Sequence, residues 1–472
     1  MDDRLVIVSA DSHAGMPPAL WKEYFDPRFH DLLPQLAADN ELYTTAITVL
    51  SARRGSTSNP EFEEAHRSGW HGLHDPVLRL ADMDREGIAS EVVFHADHRL
   101  GDLFHNAPNR TVPFEVWHAG AQAWNRWADD TFGIAPDRFH LTAAIGPCDD
   151  MDAAVAELEW AADHGFVATY VPGYLTHPQL PPLFDPYWEP FWSACEETGL
   201  AGVVHAGFGT PQGTLLPQME KIYYAAASAA GSTDLTDLLA HTDAVPEESI
   251  RFFTDFLNHN VDSRRPLWQM TLGGVFDRHP DLKLMLTEIR LDWMPATFAH
   301  LDAVFDAHRA DLSARRRPSE YWPEHCLTGA SFIHRAEVGM RHEVGVETIA
   351  FGRDYPHPEG TWPDTTLWLQ DAFFGVPETE LRAMLGENVI RFLGLDRARL
   401  ADLAARIGPT VDCVNGTVTD IPPEVAATFE MRGYYKPVEG AERIPMIEPL
   451  LQEDLARVGV AGGVGGATLA ED

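Results

Sequence analysis

The sequence predicts an α/β fold, a (β/α)8 TIM barrel with long loop insertions and a C-terminal extension. Two observations carry this expectation. Short apolar runs alternate with amphipathic helical patterns through much of the chain, and the joins are short, as repeated βα units of a parallel sheet require. Several of those runs end in Asp, His or Glu, and chemistry in such barrels sits at the C-terminal ends of the strands. With 472 residues, the chain has room for one elaborated domain of this kind. We place the barrel at residues 1–396, with insertions at 20–75 and 208–275, and the extension at 397–472.

The first strand is Leu5 to Ala10, and it leads into Asp11-Ser12-His13. Two residues apart on an extended chain, Asp11 and His13 project to the same side. Residues 20–75 read as an irregular excursion, with His71 and His74 as surface polar groups. Asp75 to Gly87 then has the marks of a helix, with Asp as N-cap, Pro76 in the first turn and Gly as stop. Ile88 to His95 is the second strand. Phe114 to Phe132 is a helix whose Trp117, Trp124 and Trp127 belong to the core. Leu141 to Pro147 is the third strand, Met151 to His164 a helix, and Val167 to Gly173 the fourth strand. A helix from Asp185 to Thr198 precedes the fifth strand, Leu200 to Ala206, which carries His205 near its end.

Residues 208–275 are mixed in character and read as a cover for the barrel mouth or a subunit contact. The sixth strand ends in Glu288. A helix spans Trp293 to His308, and Cys326 to Phe332 is the seventh strand. The eighth, Thr348 to Phe351, is broken by Gly352, and Asp354 stands just past the break. Pro356 and Pro358 prevent the strand from continuing. Pro377 to Gly394 closes the set as a helix. Beyond Leu395 the pattern decays, and the Gly/Ala-rich stretch from Val458 to Asp472 reads as a frayed or partner-bound tail.

Bulk composition narrows the function. Acidic residues number 72 against 35 basic ones, giving a net charge of −37, which argues against nucleic acid or an anionic membrane surface as partner. Cys148, Cys195, Cys326 and Cys413 are far apart with no C-x-x-C, so neither a zinc ribbon nor a redox pair is expected, and a reduced compartment fits. No secretory signal core or membrane-length apolar stretch is evident, and a cytoplasmic location is expected.

Asp11, His13, His205, Glu288 and Asp354 would all meet at one end of the barrel. Imidazole and carboxylate ligands suit Zn2+, Mn2+ or Fe2+. The order D-x-H on strand one, His on strand five and Gly-x-Asp-Tyr-Pro-His on strand eight resembles the amidohydrolase superfamily. More narrowly, it is similar to the amidohydrolase-related branch that includes aminocarboxymuconate-semialdehyde decarboxylase and aromatic-acid decarboxylases. Phe276 to Leu284, Glu288 with Trp293-Met-Pro, and Gly386 to Asp396 support the resemblance, which covers residues 5–396.

The resemblance implies a divalent metal, with Zn2+ first and Mn2+ or Fe2+ as alternatives, held by Asp11, His13, His205 and Asp354. Its function would be that of a metal-dependent hydrolase or decarboxylase acting on a small carboxylated or carbonyl compound through a metal-activated water. Asp354 would orient that water and shuttle its proton. Glu288 is a second acid/base candidate, His357 a group holding Asp354, and Arg290 a clamp for a substrate carboxylate. A salt bridge from Arg290 to Asp292 or Glu288 is the competing reading. Many decarboxylases of this branch place His where this chain has Glu288. That departure leaves room for a second metal near Glu288, with His71, His74, His241 and His259 in the long loops. The corresponding reaction would be O2-dependent hydroxylation, which a minority of proteins resembling this branch carry out. A metal-stabilised, non-catalytic subunit is the third reading. As partners we expect a small-molecule substrate and a homodimer, or a hetero-oligomer with a paralogue.

Overall fold

The structure, a computed structural model, describes residues 4–54, 71–95, 110–173, 180–210, 213–259, 261–357, 360–416, most of 421–429, and 444–458. Nine short parallel strands form one sheet: β1 (Val8–Ser9), β2 (His13–Ala14), β3 (Ser90–His95), β4 (Phe139–Ala143), β5 (Ala168–Tyr170), β6 (Ala201–His205), β7 (Leu284–Thr287), β8 (Cys326–Ser331) and β9 (Ile349–Gly352). They pair in the order β1-β3-β4-β5-β6-β7-β8-β9, with β2 also on β3. β1 lies within the predicted first strand, Leu5 to Ala10, and β2 follows it at His13, beyond the predicted end. The break between them falls where the Ser9 hydroxyl donates to the Asp11 carbonyl at 2.6 Å.

Backbone hydrogen bonds bring the ends of the sheet together. The Ala10 N–H donates to the Phe351 carbonyl (2.8 Å), the Asp354 N–H to the Asp11 carbonyl (3.1 Å) and the His13 N–H to the Tyr355 carbonyl (2.7 Å). The result is the nearly closed eight-stranded parallel barrel that the sequence predicts. Its interior holds Val8, Ala10, Val92, Phe94, Ala168, Ala201, Val203, Met285, Leu327 and Ala350. Val389, Ile390, Leu400 and Ala404 continue this cluster. The helices that carry them, Asn388–Leu393 and Arg397–Ile407, therefore close the end at which the strands begin.

Cap chemistry sets the connecting helices as expected. Asp75 accepts from the N–H groups of Val77 (2.9 Å) and Leu78 (3.1 Å) at the start of helix Pro76–Glu86, and Gly87 ends it at φ +74°. The tryptophans of helix Phe114–Phe132 are buried against the strands, as predicted.

Two expectations are overturned. Residues 20–75 are not irregular throughout, because Leu33–Arg54 is a 22-residue helix. Three threonines interrupt its apolar pattern, and the buried pair Asp39 and Asn40 lies on its core side, which hides the periodicity. Its Ala46, Val49 and Leu50 pack on Leu215, Met219, Ile222 and Ala226 of helix Leu215–Ala230, so the two excursions share one apolar cluster. Helical order also continues beyond Leu395, in Arg397–Ile407, Val411–Asn415 and Ile444–Arg457. Asp454 of the last helix is buried and accepts from Arg265 Nε (2.8 Å) and Nη2 (2.7 Å), Trp268 Nε1 (2.8 Å) and Gln269 Nε2 (2.9 Å). The tail from residue 459 lies outside the described residues. Among the described residues, no helix is long and apolar enough to cross a membrane.

Candidate metal centre

Each ligand candidate is delivered by the end of a strand. Asp11 and His13 flank the break between β1 and β2, and His205 is the last residue of β6. Ala201 and Val203 face the barrel interior, and the two-residue period puts His205 on the same side. Glu288 follows β7 and Asp354 follows β9, at φ +56° and +53°. A non-glycine residue in this left-handed region costs about 1–3 kcal/mol and persists only where surrounding contacts impose it. Here the Glu288 N–H still pairs with the Gly329 carbonyl (3.0 Å) and the Asp354 N–H with the Asp11 carbonyl, so each chain turns only after its last ladder bond.

The side chains converge. His13 Nε2 lies 3.2 Å from Asp354 Oδ1 and 3.4 Å from Asp11 Oδ1. His205 Nε2 is 3.3 Å from Asp11 Oδ1, and its Nδ1 is 3.6 Å from Glu288 Oε2. His357 Nδ1 is 2.9 Å from Asp354 Oδ1, and its ring stacks on His13 with centroids 4.1 Å apart. Two sets of donor atoms, Asp11–His13–His205–Glu288 and His13–Asp354–His357, each lie within 4.8 Å of one another and share His13. All but Glu288 are buried.

Electrostatics match this arrangement. Burial pushes the Asp11 carboxyl up, but the His205 charge and hydrogen bonds from both imidazoles outweigh it and hold Asp11 well below the usual carboxylate range. Burial lowers His13, whereas its contacts with Asp11 and Asp354 raise it well above an ordinary histidine. His205 is likewise raised by Asp11 and Glu288 against its burial. The pocket thus favours positive charge at its centre. Ionised carboxylate oxygens and imidazole nitrogens gathered around His13 are donors that fit a divalent cation of the Zn2+, Mn2+ or Fe2+ class.

Sequence reasoning missed the groups that hold this site. Arg353, fully buried beside Asp354, donates to Glu86 (2.8 Å) and through Nε and Nη2 to Glu91 (3.0 and 2.8 Å). Arg79 also donates to Glu91 and to the His13 carbonyl. The Tyr355 ring lies 4.4 Å from the Arg353 guanidinium and 4.9 Å from that of Arg79. The Arg353 N–H donates to Ser9 Oγ at 2.9 Å, fastening the Asp354 loop to β1. One signal for this network was present: Glu91 sits inside a buried strand run, and a charge there needs a partner. Ser331 Oγ, at the end of β8, donates to Asp11 Oδ2.

Arg290 is buried and paired with Asp292 through Nε (3.0 Å) and Nη2, the salt bridge raised as its competing reading. Its Nη1 has no hydrogen-bond partner among the described residues. His241 is exposed, with Nδ1 on the Asp237 carbonyl at 2.9 Å, and His74 belongs to neither donor set. The side chains of His71 and His259, like Pro358, lie outside the described residues.

Residues 64–395 match the sequence profile of the amidohydrolases. The chain belongs to the amidohydrolase family. Solved structures agree on the fold. An amidohydrolase from Mycobacterium avium subsp. paratuberculosis is 18% identical, with 84% of this chain and 100% of that one covered and a TM-score of 0.54. A manganese complex of 5-carboxyvanillate decarboxylase from Novosphingobium aromaticivorans is 15% identical, with 84% and 97% covered and a TM-score of 0.54. A dihydroxybenzoic acid decarboxylase from Polaromonas sp. with bound manganese is 19% identical, with 84% and 98% covered and a TM-score of 0.50. A search of curated protein sequences finds no match.

Proposed function

We propose that this amidohydrolase is a metal-dependent hydrolase or decarboxylase of a small carboxylated or carbonyl-bearing compound, in the branch that resembles aminocarboxymuconate-semialdehyde decarboxylase. The observation that carries the reading is the convergence of Asp11 Oδ1, His13 Nε2, His205 Nε2 and Asp354 Oδ1 at the barrel mouth. The manganese bound in two decarboxylase neighbours supports it, with Mn2+ or Zn2+ as the ion.

A divalent ion held by these four residues would lower the pKa of a bound water and polarise a substrate oxygen. Asp354, in contact with His13 and His357, would be the group that orients such a water and takes up its proton. Glu288, beside His205 and less buried than the rest, is the second acid/base group. Asp292 occupies two of the Arg290 donors and leaves Nη1 for a substrate carboxylate. Burial of the ligand set keeps bulk water from competing with these contacts.

Elemental analysis of protein purified without chelator tests the proposal. The expected result is about one Mn or Zn per chain in the wild type, lost in Asp354→Ala. No metal in either protein would overturn it. A second reading, a dinuclear O2-dependent hydroxylase, is favoured by one observation: the two donor sets flank His13, with Glu288 on one side and His357 on the other. About two metals per chain, including iron, would replace the first reading with this one.

A further inference from the structure

We propose that Ser331 is a positioning residue for the metal, tying one oxygen of Asp11 so that only the other is presented to it. The inference rests on the reading of Asp11 as a ligand.

The Asp11 carboxylate divides its two oxygens between different partners. Oδ1 faces His13 Nε2 at 3.4 Å and His205 Nε2 at 3.3 Å. Oδ2 accepts from the Ser331 hydroxyl, and both residues are fully buried. Asp11 follows β1 and Ser331 ends β8, so the contact reaches across β9, which lies between them. Gly352 makes this reach available. It is the register partner of Ser331, and a Cβ there would lie 2.8 Å from Asp11 Cβ and 3.1 Å from Ser331 Oγ.

The chemistry of the hydroxyl matters as much as its place. A carboxylate turns freely about its terminal torsion, because sp3–sp2 rotations have broad minima. One directional hydrogen bond to Oδ2 removes that freedom and aims Oδ1. A serine donates without adding charge, so Asp11 keeps its full attraction for a cation. An arginine in the same place would compete with the cation, and the nearby Arg353 is instead committed to Glu86 and Glu91. Removing the hydroxyl takes from Oδ2 its Ser331 donor in a buried setting and lets the carboxylate rotate away from the ligand set.

The test is isothermal titration of metal-stripped full-length protein with Mn2+ and, separately, Zn2+, on the wild type, Ser331→Ala and Ser331→Thr. Loss of a group that orients a ligand weakens metal binding by about 10–100-fold. That loss is expected for Ser331→Ala, with most of the affinity regained in Ser331→Thr. Unchanged affinity in Ser331→Ala, with or without a lower metal-free midpoint, would overturn the proposal. Equal losses in the Ala and Thr variants would also overturn it, because the hydroxyl would then not be the cause. A wild type that binds neither ion would overturn the metal reading itself, and this inference with it.

Discussion

His140 lies on the inner face of β4, in register with Val92, and burial lowers its pKa to about 4 although the Glu91 carboxylate pulls the other way. An unfolded histidine titrates near 6.5. Between those values the unfolded chain binds a proton that the folded chain refuses. Stability is therefore unaffected by His140 well above pH 6.5, and it falls as the pH drops towards 4 and below, by about 3 kcal/mol in all. Urea denaturation of the wild type and His140→Gln across that range checks this: the wild type loses stability more steeply, and the slopes agree again above pH 7. At this scale the sequence was partly legible. Asp11, His13, His205, Glu288, Asp354 and His357 could be picked out because they stand at or just past strand ends, and the structure gathers them in two groups that share His13. Ser331, Arg353 and Glu91 could not be connected to the site. Their partners lie far away in the chain, and local spacing carries no record of a hydrogen bond made across a barrel.

Among the elements, helix Ile444–Arg457 shows how a polar anchor can dock an apolar face. Ile447, Leu451 and Leu455 join the main core, and Asp454 takes four hydrogen bonds from Arg265, Trp268 and Gln269. Asp454→Ala removes the buried carboxylate that pairs with the buried Arg265. A destabilisation of about 3 kcal/mol or more is expected, measured by urea denaturation, because breaking a buried ion pair strands the remaining charge. The effect should extend towards the candidate metal centre. Arg264 lies over the Trp293 ring at 4.7 Å, and Trp293 Nε1 donates to the Ile289 carbonyl at 2.7 Å in the turn after β7. Barrel strands and capped helices were readable from the sequence because each carries its own signal, an apolar run or an Asp-Pro start with a Gly stop. Helix Leu33–Arg54 was not, since its threonines and its buried Asp39 and Asn40 make sense only against the partner helix and Arg110.

For the molecule as a whole, the net charge of −37 sets a repulsive background. Raising the ionic strength from low to physiological salt screens repulsion between surface carboxylates and should raise the thermal midpoint of the metal-free protein, as scanning calorimetry would show. The family match and the closed parallel sheet agree with the architecture read from the sequence, while the packing of the two excursions against each other emerged only in three dimensions. Closure of the barrel also bears on how the protein is made. The bond from Arg353 N–H to Ser9 Oγ joins residues 344 positions apart, and Asp354 meets Asp11 across the same seam. Chains emerge from the ribosome N-terminus first and fold progressively. Until Asp354 emerges, Asp11 and His13 wait beside an open edge with that partner still untranslated. The candidate site thus cannot form until the eighth-strand loop has been translated, and its completion reports that the seam between the first and last strands has closed.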